Sequence, residues 1–542
     1  MDYGTDTEPV PDSRRRPGDS LSFRVRTARL ARSVRLAMGG TVLAACLAPM
    51  PAGAQQAQPQ VINLSVEQMV ELGLRDSYRI RQLVLGVERE RNFVLAQQAG
   101  LKSRVELQVS APEFSSISEY KYNSTLQREE LVFENTRRWE AELSVRQPVI
   151  LLGFPTNGYL SLNNQVYRFT QYAEDRDIRF YNRYFIGYDQ PLFQPNRMKN
   201  DLEEAELDLE RSELDYRSDV VGMIDDLADD YYELFETAYE RVIAEEFLEH
   251  INVAVGAATE IIARDSARAI EADQLRVELA NAREDLQQTN SSYRLQTAEI
   301  KQRLRLLAAD SVAVDPVINV RPIDVDPDRA IDLAMNAAPR LRGLAITMRE
   351  NEIQLDQTKG NNSFRMNVGL TYGREMQDPR FANLWEEPRN SYTVDISATI
   401  PVWDWGQRRY RIQAEEINLQ RTRLSTEEAV TDIETSVRNE IRNLEEYEQR
   451  AMNMQENMAL AHQITMSTID RFRRGEVTLV DVLQTISRES STARNFLDAY
   501  LGFRNANLRL QQLTYHDFEL DMPLLDRFTI EAPGIERLDP ED

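Results

Sequence analysis

Ser391-Tyr-Thr-Val-Asp-Ile-Ser-Ala-Thr-Ile-Pro-Val-Trp-Asp-Trp-Gly406 runs without a break into a stretch of helical spacing that lasts about seventy residues. Tyr392, Val394, Ile396, Ala398, Ile400 and Val402 alternate with polar side chains. Period two held over about 10 residues has the pattern and the length of a β-strand tilted across a bilayer. A second stretch, Tyr184-Phe-Ile-Gly-Tyr-Asp-Gln-Pro-Leu-Phe193, also leads into a long helical run. The rest of the chain has to accommodate this unit, a membrane-length strand joined to a helix too long for a globular domain.

The unit is part of a larger repeat. Leu72, Arg81, Leu83 and Arg104 match Leu333, Arg342, Leu344 and Arg365 at one offset of 261 residues. Pro191 then matches Pro401 at an offset of 210, and Asp273-Gln-Leu275 matches Asp481-Val-Leu483 at 208. An ungapped match of this kind points to duplication. The fall from 261 to 210 places 51 extra residues among the strands of the first half.

The chain accordingly divides into an N-terminal extension and signal (1–54), a first repeat (55–310), a linker (311–327), a second repeat (328–515) and an acidic tail (516–542). In the first repeat the spacing predicts a helix from Ser65 to Leu95, strands within 103–193, a long helix over 196–263 and a returning helix over 267–309. Alternation there is clear at Val105, Leu107 and Val109 and at Trp139, Ala141, Leu143 and Val145, and weaker over Tyr159 to Tyr167. In the second repeat it predicts a helix over 328–355, strands over 365–373 and 391–402, a long helix over 407–473 and a returning helix over 478–513. The tail carries Pro523, Pro533 and Pro540 and is expected to be loosely ordered.

A helix of about seventy residues spans on the order of 100 Å, beyond any single globular core. Val220, Ile224, Leu227, Tyr231 and Phe235 in one long helix keep coiled-coil spacing, as do Ile433, Val437, Ile441, Leu444, Ala451, Met454 and Met458 in the other. Each long helix has its returning helix as a neighbour. A pair still leaves a flank open, which points to oligomerisation.

Composition narrows the class. Charged residues make up 28% and the net charge is -25. Arg24, Arg26, Arg29, Arg32 and Arg35, the apolar run Leu36 to Leu47 and Ala52-Gly-Ala54 have the order of a secretory signal. Without residues 1–54 the chain holds 56 basic and 84 acidic residues, a charge that argues against nucleic-acid binding. The single cysteine, Cys46, stands in a lipoprotein-like Leu43-Ala-Ala-Cys46. Cleavage before it would give an acylated N-terminus. The later site behind the whole apolar run is better placed, and cleavage there leaves a mature chain without thiol chemistry.

Strands cross lipid only in closed barrels, where every backbone group is bonded internally. One chain offers four strands, or six if the insertion contributes, too few for a barrel with a lumen, so closure needs several chains. Charged residues alternate with the apolar ones (Arg104, Glu106, Glu140, Glu142, Arg146, Asp189, Asp395), so the inner face is expected to be wet. A wet barrel continued by a helical tube is a conduit.

Pro401-Val-Trp-Asp-Trp-Gly-Gln-Arg-Arg409, Pro191-Leu-Phe193 and Arg471-Phe-Arg-Arg-Gly-Glu-Val-Thr-Leu-Val-Asp-Val-Leu483 resemble the signatures of TolC-like outer-membrane efflux proteins (outer membrane factors), over nearly all of residues 61–515. The resemblance implies a mainly α fold with a transmembrane β-barrel and long antiparallel coiled-coil helices forming a periplasmic α-barrel. It implies a homotrimer with a 12-stranded barrel, four strands per chain, in the outer membrane of a Gram-negative-type bacterium. It further implies a passive exit duct of a tripartite efflux or type I secretion system, docked to a periplasmic adaptor and an inner-membrane pump of RND or ABC type. The 51-residue addition departs from this pattern.

The same resemblance implies roles for particular residues. Asp273 and Asp481 would stand at the pore constriction, where rings of carboxylates favour cations; the alternative is that each caps the first turn of a returning helix. Gln484 and Phe472 occupy positions where the family often has an acid and a tyrosine, so the polar latch is weakened and Phe472 is expected to contribute apolar closure. Arg473, Arg474, Gly475 and Glu476 form the tip turn that would meet the adaptor. Trp403, Trp405 and Tyr410 are candidates for an aromatic belt against outer-membrane lipid, or for packing at the strand-to-helix joint.

Asp225-Asp226 and Asp229-Asp230 fit a solvated or lumenal helix face, and His250, His462 and His516 have no ligand spacing. No metal site, cofactor or catalytic constellation is expected. A periplasmic adaptor with a coiled-coil hairpin, or a structural coiled-coil protein, would explain the helices but not the paired alternating strands.

Overall fold

The computed structural model describes residues 61–75, 77–123, 127–172, 176–262, 269–307 and 311–528. The expected signal segment with Cys46 and the glycine-free turn at residues 265–268 lie outside them. A short strand β1 (Val61–Asn63) precedes helices α1 (Val66–Arg75) and α2 (Tyr78–Gly100). Four strands follow: β2 (Arg104–Asn123), β3 (Arg128–Leu151), β4 (Phe154–Tyr172) and β5 (Arg176–Leu192). They lead into α3 (Arg197–Ile262) and α4 (Ala269–Arg303). Beyond β6 (Ser311–Ala313) come α5 (Pro327–Ala337), α6 (Pro339–Asn361), β7 (Arg365–Asp378), β8 (Arg389–Thr399), α7 (Gln407–Arg473) and α8 (Leu479–Thr514). A C-terminal turn of β9 (His516–Asp517), β10 (Met522–Pro523) and α9 (Leu524–Arg527) ends the described chain.

Local chemistry explains where the elements break. Each stretch expected as one entry helix is two. Ser77 caps α2 by accepting hydrogen bonds from the N–H groups of Arg79 and Ile80, which fixes a boundary after α1. In the second half Pro339 starts α6, because proline donates no N–H and restricts the residue before it. Asp326 accepts from Asp328 N, and Pro327 opens α5. The expected linker begins with β6, which pairs in parallel with β1.

All six long strands lie in a single antiparallel sheet of order β2-β3-β4-β5-β7-β8. The insertion therefore adds strands to this sheet and does not fold as a separate hairpin. Register divides the sheet into two faces. Val105, Val145, Leu162, Ile186, Tyr372 and Tyr392 are successive partners, an apolar row that crosses all six strands. Gln108, Glu142, Gln165, Arg183, Glu375 and Arg389 form a second unbroken row, entirely polar, on the opposite face. Val105, Leu162, Ile186, Tyr372 and Tyr392 are all more than half exposed, so nothing within the chain covers the apolar face there. Beyond the sheet's main body β2 and β3 continue as a two-stranded arm, Ser116 pairing with Asn135 and Asn123 with Arg128.

The helices bury their heptad residues against one another. Val437, Ile441 and Leu444 of α7 meet Phe503 and Leu510 of α8 and Ala330 and Ala334 of α5. Val220, Ile224, Leu227, Leu234 and Phe235 of α3 lie in a second core with Met69 and Val70 of α1. The tail differs from its expectation as far as residue 528. Leu524 and Phe528 are buried in this second core, and Arg527 donates to the fully buried Asp517 at 2.6 Å and to Glu67 of α1. Two apolar anchors and an ion-paired arginine outweigh the segment's acidic, proline-containing composition. Phe528→Ala is expected to cost about 3–5 kcal/mol and to lower the thermal unfolding midpoint, whereas Leu520→Ala, at an exposed position, leaves it unchanged.

Candidate functional site

The α7–α8 turn is built by backbone hydrogen bonds. Glu476 N donates to Arg471 O at 3.0 Å and Gly475 N to Phe472 O at 2.8 Å, with Gly475 at φ +76. This is the Schellman ending of a helix, whose left-handed residue favours glycine. Glu476 then accepts from Arg474 at 2.6 Å, and Arg473 Nη1 lies 3.0 Å from Asp470. Arg473, Arg474, Gly475 and Glu476 are all exposed and form one charged tip.

Three expected constriction residues are accessible and one is not. Asp481 forms a capping box with Thr478: its Oδ2 accepts from Thr478 N at 2.9 Å and from the Thr478 hydroxyl at 2.7 Å, and Thr478 Oγ1 accepts from Asp481 N. The hydroxyl and then the backbone N–H hold its carboxyl below the usual carboxylate range. Capping uses one oxygen, and the side chain stays exposed beside the exposed Gln484. Asp273 is exposed on α4 and pairs with Arg276 at 2.9 Å. Phe472 is 0% exposed, packed among Ile469, Leu479, Val482 and Ile486. Its ring packs the apolar core beneath the tip, which Ile251 and Ala254 of α3 and Leu275 of α4 share with α7 and α8.

At the other end of α7 the strand-to-helix joint is exposed. Trp403 and Trp405 are 74% and 86% exposed and meet edge to face at 5.4 Å; Tyr410 is also exposed. Asp404 between them accepts from Gly406 N and Arg408 N, both at 2.9 Å, and so orders the start of α7. Within the chain these rings do not pack the joint.

Asp225 and Asp230 differ from ordinary surface carboxylates. Burial, with Asp229 and Asp226 beside it, pushes Asp225 up to about 6. Burial also raises Asp230 to about 6, against the opposing charge of Arg303. The carboxylates were expected on a solvated or lumenal face; Asp226 and Asp229 are exposed, while Asp225 and Asp230 are half-buried.

Sequence spacing missed a side-chain cluster in the helices. His250 of α3 and His462 of α7 both reach Glu489 of α8. The residues lie 212 and 27 positions apart, so only the helix packing brings them together. The one signal in the sequence was a glutamate at a position where the α8 heptad calls for an apolar residue.

A sheet with one apolar and one polar face runs into helices of 66 and 67 residues, and the comparisons with known proteins find the same arrangement. Residues 331–514 match the family model described as outer membrane efflux protein. No curated protein matches the sequence. The fold is similar to the CusC structure, described in terms of transmembrane channel formation, with a TM-score of 0.61 at 13% identity, covering 85% of this chain and 95% of CusC. It is similar to the Campylobacter jejuni outer membrane channel CmeC (TM-score 0.60, 12% identity, 83% and 85% covered). The Vibrio cholerae outer membrane protein VceC gives 0.59 at 13% identity, with 84% and 96% covered. Residues 331–514 are thus similar to the outer membrane efflux protein family, and the fold of the chain is that of these channel structures.

Gly475→Ala is expected to cost about 1–2 kcal/mol through its left-handed backbone alone, since no atom stands within 4 Å of the added methyl. A fall in the midpoint of thermal unfolding would measure it. For Asp225 the folded pKa is raised, so its contribution is full at low pH and lost as pH rises through about 6. Asp225→Asn should therefore raise the unfolding midpoint at pH 7.5 and flatten its pH dependence between 4 and 6, read by circular dichroism melts across that range.

Proposed function

We propose that three copies of this chain form a passive exit duct of a tripartite efflux or type I secretion system. The observation that carries this reading is the unbroken apolar row across six strands, backed by an equally unbroken polar row. Lipid accepts the first and water the second, and only a barrel provides both. The two outer strands are β2 and β8, each bonded on one side only. In lipid such edges need partners, and edge-to-edge closure of copies of the same chain supplies them.

Six strands per chain and three chains give 18 strands, against the 12 that the resemblance implies. Barrel diameter grows with strand number, and barrels of 16–18 strands leave an aqueous channel. Trp403, Trp405 and Tyr410 would then lie at the inner interface of the membrane, where exposed aromatic rings are stable. The returning helices α4 and α8 would present Asp273, Asp481 and Gln484 towards the axis at the far end, and the Arg473–Glu476 tip would receive the periplasmic adaptor.

Detergent-extracted protein is expected to run as a heat-modifiable trimer and to give single-channel conductance in planar bilayers. A water-soluble monomer without conductance would exclude the duct and leave the adaptor. Asp481→Asn with Asp273→Asn is expected to reduce cation selectivity, read as a reversal-potential shift in a salt gradient, if the two rings line the constriction.

A further inference from the structure

Glu489 is 3% exposed, on the face of α8 that carries buried Ile486 and Ala493. A carboxylate at such a position costs free energy unless it is compensated. Its compensation comes from two of the chain's three histidines, each on a different helix. His462 Nδ1 lies 2.8 Å from Oε1, and His250 Nδ1 lies 3.2 Å from Oε2. The second approach is close enough for an ion pair but not aligned for a hydrogen bond, and Oε2 is buried without a hydrogen-bond partner. One ligand-type atom from each residue falls within 4.8 Å of the others. Burial alone would raise Glu489, but His250, Thr465 and His462 outweigh it and hold the carboxyl below its ordinary range. Glu246 and Glu249 of α3 add negative charge that His250 feels.

We infer that His250, His462 and Glu489 form a binding site for one divalent transition-metal ion of the zinc class, which ties α3 to α7 and α8. Two imidazoles and one carboxylate, with a fourth position open to water or Glu246, are a common zinc set. Donors around tetrahedral zinc stand about 3.4 Å apart, given bonds of about 2.1 Å. The widest separation, within 4.8 Å, requires closure of up to about 1.4 Å, and His462, whose side chain is 55% exposed, has the room to supply it. An ion would fill the direction in which Oε2 now has no hydrogen bond. Water reaches the site past His462, so an ion has an entry path.

Position gives the site its consequence. His250 is 12 residues before the end of α3, His462 is 11 before the end of α7, and Glu489 is 10 after the start of α8. At 1.5 Å per residue the three lie about 15–18 Å from the helix ends that form the tip. An ion held there would lock the helices just behind the segment that must move if the tip opens. This inference needs only the helix packing and stands apart from the duct reading.

The test uses full-length detergent-solubilised protein stripped with chelator. Titration with Co²⁺ should give one equivalent per chain with the visible absorption of a low-coordinate site. Zn²⁺ should bleach that absorption and raise the thermal midpoint. His462→Gln, at a half-exposed position that leaves the core intact, removes a direct ligand and should weaken Co²⁺ binding by more than the roughly 10–100-fold lost with an outer partner of a ligand; His516→Gln should not. Absence of the Co²⁺ spectrum in the native chain, or its survival at native affinity in the folded His462→Gln variant, overturns the site.

Discussion

Unpaired backbone at the two edges of the sheet is the constraint on which the rest depends. β2 and β8 each leave a line of N–H and C=O groups without partners, on a sheet whose one face is apolar and exposed. In water an exposed apolar face of this extent invites aggregation; in lipid the open edges do. Both problems vanish together when the sheet closes on copies of itself within a membrane, and the long helices can then pack flank to flank below it. On the proposed reading, oligomerisation is thus the condition for satisfying the chain's own backbone.

The helical portion is organised by a different economy. Its apolar stripes are narrow and largely consumed within the chain, α7 against α8 and α5, α3 against α1 and the C-terminal turn. Much of each long helix is therefore polar and exposed, as the proposed duct wall, with water on one side and sister chains on the other, would require. Polar groups that do enter the interior are compensated one by one: Arg527 with Asp517, Arg303 with Asp230, and the two histidines with Glu489. The last case differs in bringing two imidazoles, each from a separate helix, to one buried carboxylate.

The tip shows how structural and functional demands share residues. Thr478 and Asp481 cap α8, Gly475 ends α7, and Phe472 closes the apolar core beneath them. The capping geometry uses only part of Asp481 and leaves its charge at the surface, so a helix cap and an ionic ring are compatible in one side chain. Phe472 is fully buried in a core to which α3, α4, α7 and α8 all contribute, so its ring serves packing beneath the tip.

Local periodicity by itself determined the strands, the long helices and the wet and dry faces, because alternation and heptad spacing are properties of neighbouring residues. The α7 limits at Gln407 and Arg473 were legible for the same reason: Gly406 and Gly475 punctuate the chain where helix begins and ends. Only tertiary structure decided that the 51-residue addition joins the main sheet, since register is a relation between strands and no local pattern encodes it. Tertiary structure also decided that the tail to residue 528 is anchored and that Phe472 is interior. It alone brought His250, His462 and Glu489 together, because helices bring distant residues into contact through packing angles that a single sequence does not spell out.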